Sequence, residues 1–208
     1  MAFSEIFEKY NLFGKGIESV TAFQRAYNIH NEELWELYRV GKIEKENLRN
    51  LRFHLTLADF GIVDHGLASK IGDDYLAISP LKVSLFPNAL EILGYLQSKY
   101  TLHLITNGFS EVQFIKLKAS GLDKYFNEVI TSEDAGVKKP DVRIFEYSLQ
   151  KTGAKVHECL MVGDDPEVDV KGAQNAGIDA VLFDPLEVYQ KNGSNLYITR
   201  LDELRNFL

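Results

Sequence analysis

Three short stretches of the sequence combine side chains that can hold an anion and a metal ion. The most acidic is Val162-Gly163-Asp164-Asp165-Pro166-Glu167-Val168-Asp169, where three aspartates and a glutamate crowd the end of an apolar run and the turn after it. Carboxylates gathered this way repel unless a cation is present, and hard oxygen ligands suit Mg²⁺. A plainer reading makes Asp165 a helix N-cap with Pro166 in the first turn. The two readings are compatible if Asp165 caps while Asp164 binds metal, with Asp169 about one helical turn further on. The second stretch, Gly136-Val137-Lys138-Lys139-Pro140, contains a lysine whose backbone is restricted by the following proline. Lys139 could neutralise a phosphate, or the loop could be ordinary solvated surface. The third is Thr106-Asn107-Gly108, a hydroxyl and backbone N–H groups between an apolar run and a helix start. That arrangement suits a phosphate, with Gly108 allowing close approach, and it equally suits a simple strand-to-helix turn.

All three stretches need strand ends to present them. From about residue 84 the pattern alternates strand and helix. Leu102–Ile105, Glu128–Ile130, Leu160–Val162 and Ala180–Phe183 are the strand candidates. The intervening helices are one opened by Pro87 and carrying Leu90, Leu93 and Leu96, one with Ser110 and Gln113 as a capping box, one capped by Asp141, and one from Pro166 to Ala176. Apolar strands joined by helix-length connections imply an α/β fold with a doubly wound parallel sheet, which binds ligands beyond the carboxyl ends of its strands. Residues 1–82 read as helices alone. Phe3, Ile6, Phe7 and Tyr10 recur at helical spacing, a long helix runs from about Ser19 to Val40 and ends at Gly41, and two more cover about 44–59 and 64–78. The expected organisation is a helical domain over 1–82 and an α/β domain over 83–208.

Composition narrows the partners. The 208 residues carry a formal charge of −7, which argues against a general nucleic-acid or anionic-membrane binder. No apolar stretch is long enough to cross a membrane, and the first residues lack the order of a secretory signal. Cys159 is the single cysteine, so no internal disulfide can form, which fits a reducing compartment such as the cytoplasm. Its place in the run Cys159-Leu160-Met161-Val162 reads as a buried small hydrophobe.

In this order and spacing, the three stretches resemble motifs II, III and IV of the haloacid dehalogenase (HAD) superfamily. The helical part is similar to the cap of the subgroup related to pyrimidine 5′-nucleotidases, at Asn31, Leu34-Trp35, Gly41-Lys42-Ile43 and Arg52-Phe53. Thr106-Asn107-Gly108-Phe109-Ser110 is that subgroup's style of motif II. The resemblance implies a Rossmann-like core with a mobile helical cap, and a Mg²⁺-dependent phosphatase acting through an aspartyl-phosphate on small phosphomonoesters, nucleoside 5′-monophosphates among them. Thr106, Asn107, Gly108 and Lys139 would hold the phosphate, with Thr106 and Lys139 catalytic. Asp164 would ligate Mg²⁺ and Asp169 would support or join the metal shell. Asn31, Trp35, Arg52 and Phe53 become candidates for substrate choice. The partner implied is a small phosphorylated metabolite, and the assembly a monomer or homodimer.

One part of the family pattern is absent. Motif I is an apolar strand followed by Asp-x-Asp-x-Thr, whose first aspartate attacks phosphorus and whose second acts as acid/base. No such motif occurs in the sequence. Asp73-Asp74 lies in a polar helical context, and Asp184 is followed by Pro185-Leu186. The family places motif I just before the cap, in the middle strand of the sheet. The expectation is therefore an incomplete sequence or a misassigned start codon, a 208-residue chain without phosphatase activity, and a sheet in which Leu102–Ile105 and Leu160–Val162 do not pair directly. The competing reading is a non-catalytic phosphate-binding or interaction protein derived from such an enzyme. A dehalogenase is a weaker third, because the carboxylate cluster favours metal-dependent phosphatase chemistry.

Overall fold

A computed structural model describes residues 2–189 and 196–208. The chain divides into two compact units, Met1–Val83 and Ser84–Leu208.

The first unit is helical: α1 (Ala2–Lys9), α2 (Val20–Arg39), α3 (Lys45–Ala58) and α4 (His65–Ile78). Its boundaries follow capping chemistry. The Ser19 side chain accepts a hydrogen bond from the Ala22 N–H (3.1 Å) to start α2, and Asp64 accepts from the Leu67 N–H (2.9 Å) to start α4. Gly41, at φ +72°, turns the chain after α2. Phe3, Ile6, Phe23, Tyr27, Phe53, Leu57 and Ile71 form the core. Ring pairs run through it, with centroids 4.9 Å apart for Phe3–Tyr27 and for Tyr27–Phe53.

The second unit is α/β. In chain order it contains α5 (Ala89–Gln97), β1 (His103–Thr106), α6 (Ser110–Ser120), β2 (Glu128–Thr131), α7 (Ser132–Ala135), α8 (Val142–Thr152), β3 (Leu160–Gly163), a π-helical turn (Pro166–Lys171) leading into α9 (Gly172–Asn175), β4 (Asp179–Phe183), β5 (Leu196–Ile198) and a final 3₁₀ segment (Leu201–Asn206). All strand pairings are parallel. They fall into two sheets, β1-β2 and β3-β4-β5, and β1 does not pair with β3. The two sheets nevertheless share their covering layers. On one face, Ile144, Phe145, Val170, Ala173, Ala180 and Leu182 pack with Met161 of β3 and Ile105 of β1. On the other, Ile92, Leu96, Val181, Phe183, Ile198 and Leu204 pack with Leu160 of β3 and with Leu102, next to β1. This is the doubly wound arrangement, covered on both faces. Burial records the interruption: Ala180–Phe183 of β4 are buried, whereas every residue of β1 and β3 is only half-buried.

Several local expectations need correction. Ser110 is the first residue of α6, not its cap. Phe109 holds the N-cap position without a side-chain bond, and Gln113 folds over Gly108 instead of back to the helix start. In α5, which follows Asn88 at φ +63°, the buried face is Ala89, Ile92 and Leu96, and Leu90 is exposed. Cys159 is half-exposed, with its thiol donating to the Lys155 carbonyl (3.2 Å), because it precedes β3 at an unpaired edge. The strand β5, Leu196-Tyr197-Ile198, is a three-residue apolar run after a polar stretch of sequence and was not among the strand candidates. Asp141 does cap α8: its carboxylate accepts from the Arg143 N–H (3.0 Å) and also binds the Arg143 guanidinium.

The Asp141 cap makes a pH-dependent contribution. Hydrogen bonds from the Arg143 side chain and then its backbone N–H lower the carboxyl pKa to about 2. The ordinary unfolded value is about 3.9. The cap's stabilisation is therefore present above about pH 4 and is lost as pH falls through about 2. Asp141→Ala should cost about 1 kcal/mol at pH 7 and much less at pH 2, measured by denaturant titration at both pH values. An equal loss at both would show that the carboxylate is not the stabilising group.

Candidate active site at the strand ends

The three stretches singled out in the sequence meet in the α/β unit, at the carboxyl ends of β1 and β3. Lys139 is the bridge. Its ammonium donates to the Ile105 carbonyl of β1 (3.0 Å) and to Asp169 Oδ1 in the π-helical turn after β3 (2.6 Å). Both partners of this ion pair are buried: the side chains are 10% and 6% exposed. Asn107 fixes the lysine's backbone. Its Oδ1 accepts from the Lys139 N–H (2.8 Å) and its Nδ2 donates to the Lys139 carbonyl (3.0 Å). Asn107 thus uses its side chain on the loop, leaving its backbone amide as the group it can offer an anion. The Lys139–Pro140 peptide is cis. Thr106 Oγ1 accepts from the Gly108 N–H (3.0 Å), which folds the turn tightly beyond β1.

On the β3 side, the carboxylate of Asp169 points back over the strand end. Its Oδ2 accepts from the backbone N–H groups of Asp164 (3.2 Å) and Asp165 (3.3 Å). Gly163 makes room for it, because a Cβ there would lie 2.3 Å from the Asp169 Cβ. The π-helical turn supplies the geometry, with both Asp169 and Val170 N–H groups donating to the Asp165 carbonyl (2.9 and 3.2 Å). Asp165 is the N-cap, its Oδ1 accepting from Glu167 and Val168. The capping reading of the acidic stretch holds for Asp165, and the Asp164 carboxylate takes no part in that cap. Burial, and then the charge of Asp169, raise the Asp164 carboxyl above its ordinary pKa. A cation beside it would relieve both effects. Among the described residues no three His, Cys, Asp or Glu side chains gather as a metal cluster. Mg²⁺ commonly takes only one or two protein carboxylates, with waters and substrate phosphate completing its shell, and Asp164 fits that role.

This arrangement resembles known enzymes in both sequence and structure. A family model for haloacid dehalogenase-like hydrolases matches residues 2–177. The chain belongs to that family. It is 33% identical over 174 residues to the pyrimidine 5′-nucleotidase PynA of Streptococcus pneumoniae, covering 82% of this chain and 72% of the relative. It is 33% identical over 188 residues to the ribulose-1,5-bisphosphate 5-phosphatase of Halopiger xanaduensis, covering 85% and 79%. The magnesium-bound crystal structure of the HAD-hydrolase YfnB from Bacillus subtilis superposes with a TM-score of 0.86 at 26% identity, over 99% of this chain and 88% of that one.

Tyr189 escaped the sequence reading. Burial, and then the charges of Asp165, Asp184 and Asp164, raise its phenol pKa. It lies in a loop beyond β4, where no motif or periodicity marks it. Asp184 has a structural part: its carboxylate gathers the Val188 and Tyr189 N–H groups and the Tyr197 hydroxyl.

The four cap candidates sit in the helical unit. Phe53 is fully buried in the core of that unit. Trp35 is half-buried against Tyr38 (centroids 5.6 Å apart), and Asn31 is half-buried one turn from Tyr27, whose hydroxyl donates to its Oδ1 (3.2 Å). Arg52 is buried beside the same tyrosine, Nη1 donating to its hydroxyl (3.1 Å).

Proposed function

We propose that the protein is a Mg²⁺-dependent phosphatase of small phosphomonoesters, nucleoside 5′-monophosphates among them, with the chemistry at the ends of β1 and β3. The observation that carries this reading is the buried Lys139–Asp169 pair held between Thr106-Asn107-Gly108 and Asp164. A phosphoryl group entering there meets the Thr106 hydroxyl, the Asn107 amide and the Lys139 ammonium, a donor set suited to its equatorial oxygens, while the Gly108 N–H holds the turn through Thr106 Oγ1. Asp169 orients Lys139, and its backbone bonds fix the Asp164 main chain. Asp164 would hold the Mg²⁺, which supplies charge neutralisation when bound. Asn31, Trp35 and Arg52 are the proposed contributors to substrate choice. Aspartyl-phosphate chemistry needs an aspartate nucleophile in reach of Thr106 and Lys139, and no Asp-x-Asp-x-Thr occurs in these 208 residues. That observation keeps the second reading open, a phosphate-binding protein without turnover.

Asp164→Asn tests the metal assignment in a polypeptide that has the motif I strand at its N-terminus. The Mg²⁺ concentration for half-maximal hydrolysis should rise at least about tenfold, the loss of one charged ligand being worth more than about 1.4 kcal/mol. An unchanged Mg²⁺ dependence would remove Asp164 from the metal site.

A further inference from the structure

In the helical unit, Arg52 is a buried cation with no carboxylate paired to it among the described residues. It is 5% exposed, and its Nε and Nη2 atoms are buried with no hydrogen-bond partner. Its only hydrogen-bonded side chain among the described residues is Tyr27, at Nη1. The rings of Tyr27, Phe53 and Tyr75 surround the guanidinium, with centroids 5.9, 5.5 and 5.4 Å from its central carbon.

Ring faces stabilise the charge from above and below the guanidinium plane, but they do not satisfy donors that point outward in that plane. An unsatisfied buried charged donor is costly, and core packing alone would be met as well by an apolar side chain. The two orphaned donors also form a particular edge. Nε–H and Nη2–H point the same way, in the fork that receives two oxygens of one carboxylate or phosphate. The surroundings suit an anion: among the described residues no carboxylate is paired with Arg52, and the Tyr27 hydroxyl that meets Nη1 donates onward to the half-exposed Asn31. Burial pushes the Tyr27 phenol far up, so it stays neutral and leaves the arginine charge uncompensated.

We infer that Arg52 is an oxyanion-binding site: its Nε–Nη2 edge receives a carboxylate or phosphate group of a small ligand, with Tyr27 and Asn31 holding the guanidinium in place. The inference rests on the specificity role proposed for Arg52. It is read at Arg52 itself, so a protein without phosphatase activity would leave it standing.

The probes are inorganic phosphate and acetate, titrated separately into the full chain while the arginine Nε–H resonances are followed by NMR. A saturable shift of the Arg52 Nε–H is expected with at least one of them. Phosphate alone would assign a phosphate site, acetate alone a carboxylate site, and both a general oxyanion site. Arg52→Lys keeps the charge but loses the fork, and should weaken binding at least about tenfold. Thr106→Val, which alters only the strand-end cradle, should leave the Arg52 shift in place. The direct signal in the unsubstituted chain decides the matter even if Arg52→Lys folds poorly. An Arg52 Nε–H that responds to neither anion, or a shift abolished equally by Thr106→Val, would overturn the assignment.

Discussion

Replacing Lys139 with methionine should destabilise the α/β unit by about 3 kcal/mol, the lower end of the range for removing one partner of a buried ion pair. The substitution keeps the length and apolar stem of the side chain but strands Asp169, whose side chain is 6% exposed. Two backbone N–H groups still reach Asp169 Oδ2, which is why the lower end applies. Against a typical total of about 5–15 kcal/mol, such a loss is readily seen as a shift in the urea midpoint. The double variant Lys139→Met/Asp169→Leu removes the stranded charge and should recover part of the loss, because apolar replacement of a whole buried pair is often neutral. Hydrogen exchange adds a local readout. Lys139 also donates to the Ile105 carbonyl, so protection along β1 should fall in the single variant. A single variant within about 0.5 kcal/mol of the parent would mean that the pair is solvated in solution and does not tie the two strand ends together.

The reach of Lys139 illustrates what the sequence disclosed. Its neighbour Pro140 marked a constrained lysine, and the acidic stretch marked a strand end, so the three stretches could be ranked together as one site. That Asn107 would clamp the lysine's backbone, and that Asp169 would turn back on its own strand, depends on bonds between residues 32 and 5 positions apart. Neither carries a local signal. Asp164 and Asp165 were legible for opposite reasons: capping is local chemistry and needs only the next residues, whereas the isolation of Asp164 is inferred from what its neighbours are already bonded to. The helical unit shows the same division. Ser19 and Gly41 gave the bounds of its long helix, whereas the family resemblance that made Phe53 a candidate contact carries no information on which side of α3 faces the core. Leu90 likewise lies on the exposed side of α5, whose buried face is Ala89, Ile92 and Leu96. Asn31 and Arg52 share one resemblance to the family's cap, and Tyr27, which no motif marks, is the residue that joins them.

The polypeptide of these 208 residues should show no Mg²⁺-dependent hydrolysis of phosphomonoesters, and the amides on the facing edges of β1 and β3 should exchange with solvent quickly. The chemical ground is direct. Lys139 and Thr106 can bind and polarise a phosphoryl group, but the transfer needs an attacking carboxylate, and the acidic residues around the cluster have other positions: Asp165 caps, Asp169 faces Lys139, and Asp184 ties down the loop after β4. The structural ground is the break between the sheets. β1 pairs through its whole length with β2, and β3 with β4, so each has one paired and one unpaired edge. Buried and unsatisfied, those edge groups would cost about 1–3 kcal/mol each. The half-burial of every residue in β1 and β3 lets water meet them instead. In a parallel strand alternate N–H groups serve opposite neighbours. Protection should therefore alternate along His103–Thr106 and Leu160–Gly163, while β4, paired on both sides and buried from Ala180 to Phe183, should be protected throughout. Free edges also invite pairing between molecules, so sedimentation should show association that grows with concentration. An apolar peptide ending in Asp-x-Asp-x-Thr, added in trans, should fill the gap as a parallel strand, slow exchange at both edges and confer hydrolysis. Slowed exchange without turnover would favour the phosphate-binding reading over the phosphatase. Uniform protection of β1 and β3, or Mg²⁺-dependent turnover by the 208 residues alone, would show that the two sheets close on each other in solution and that the chain supplies its own nucleophile.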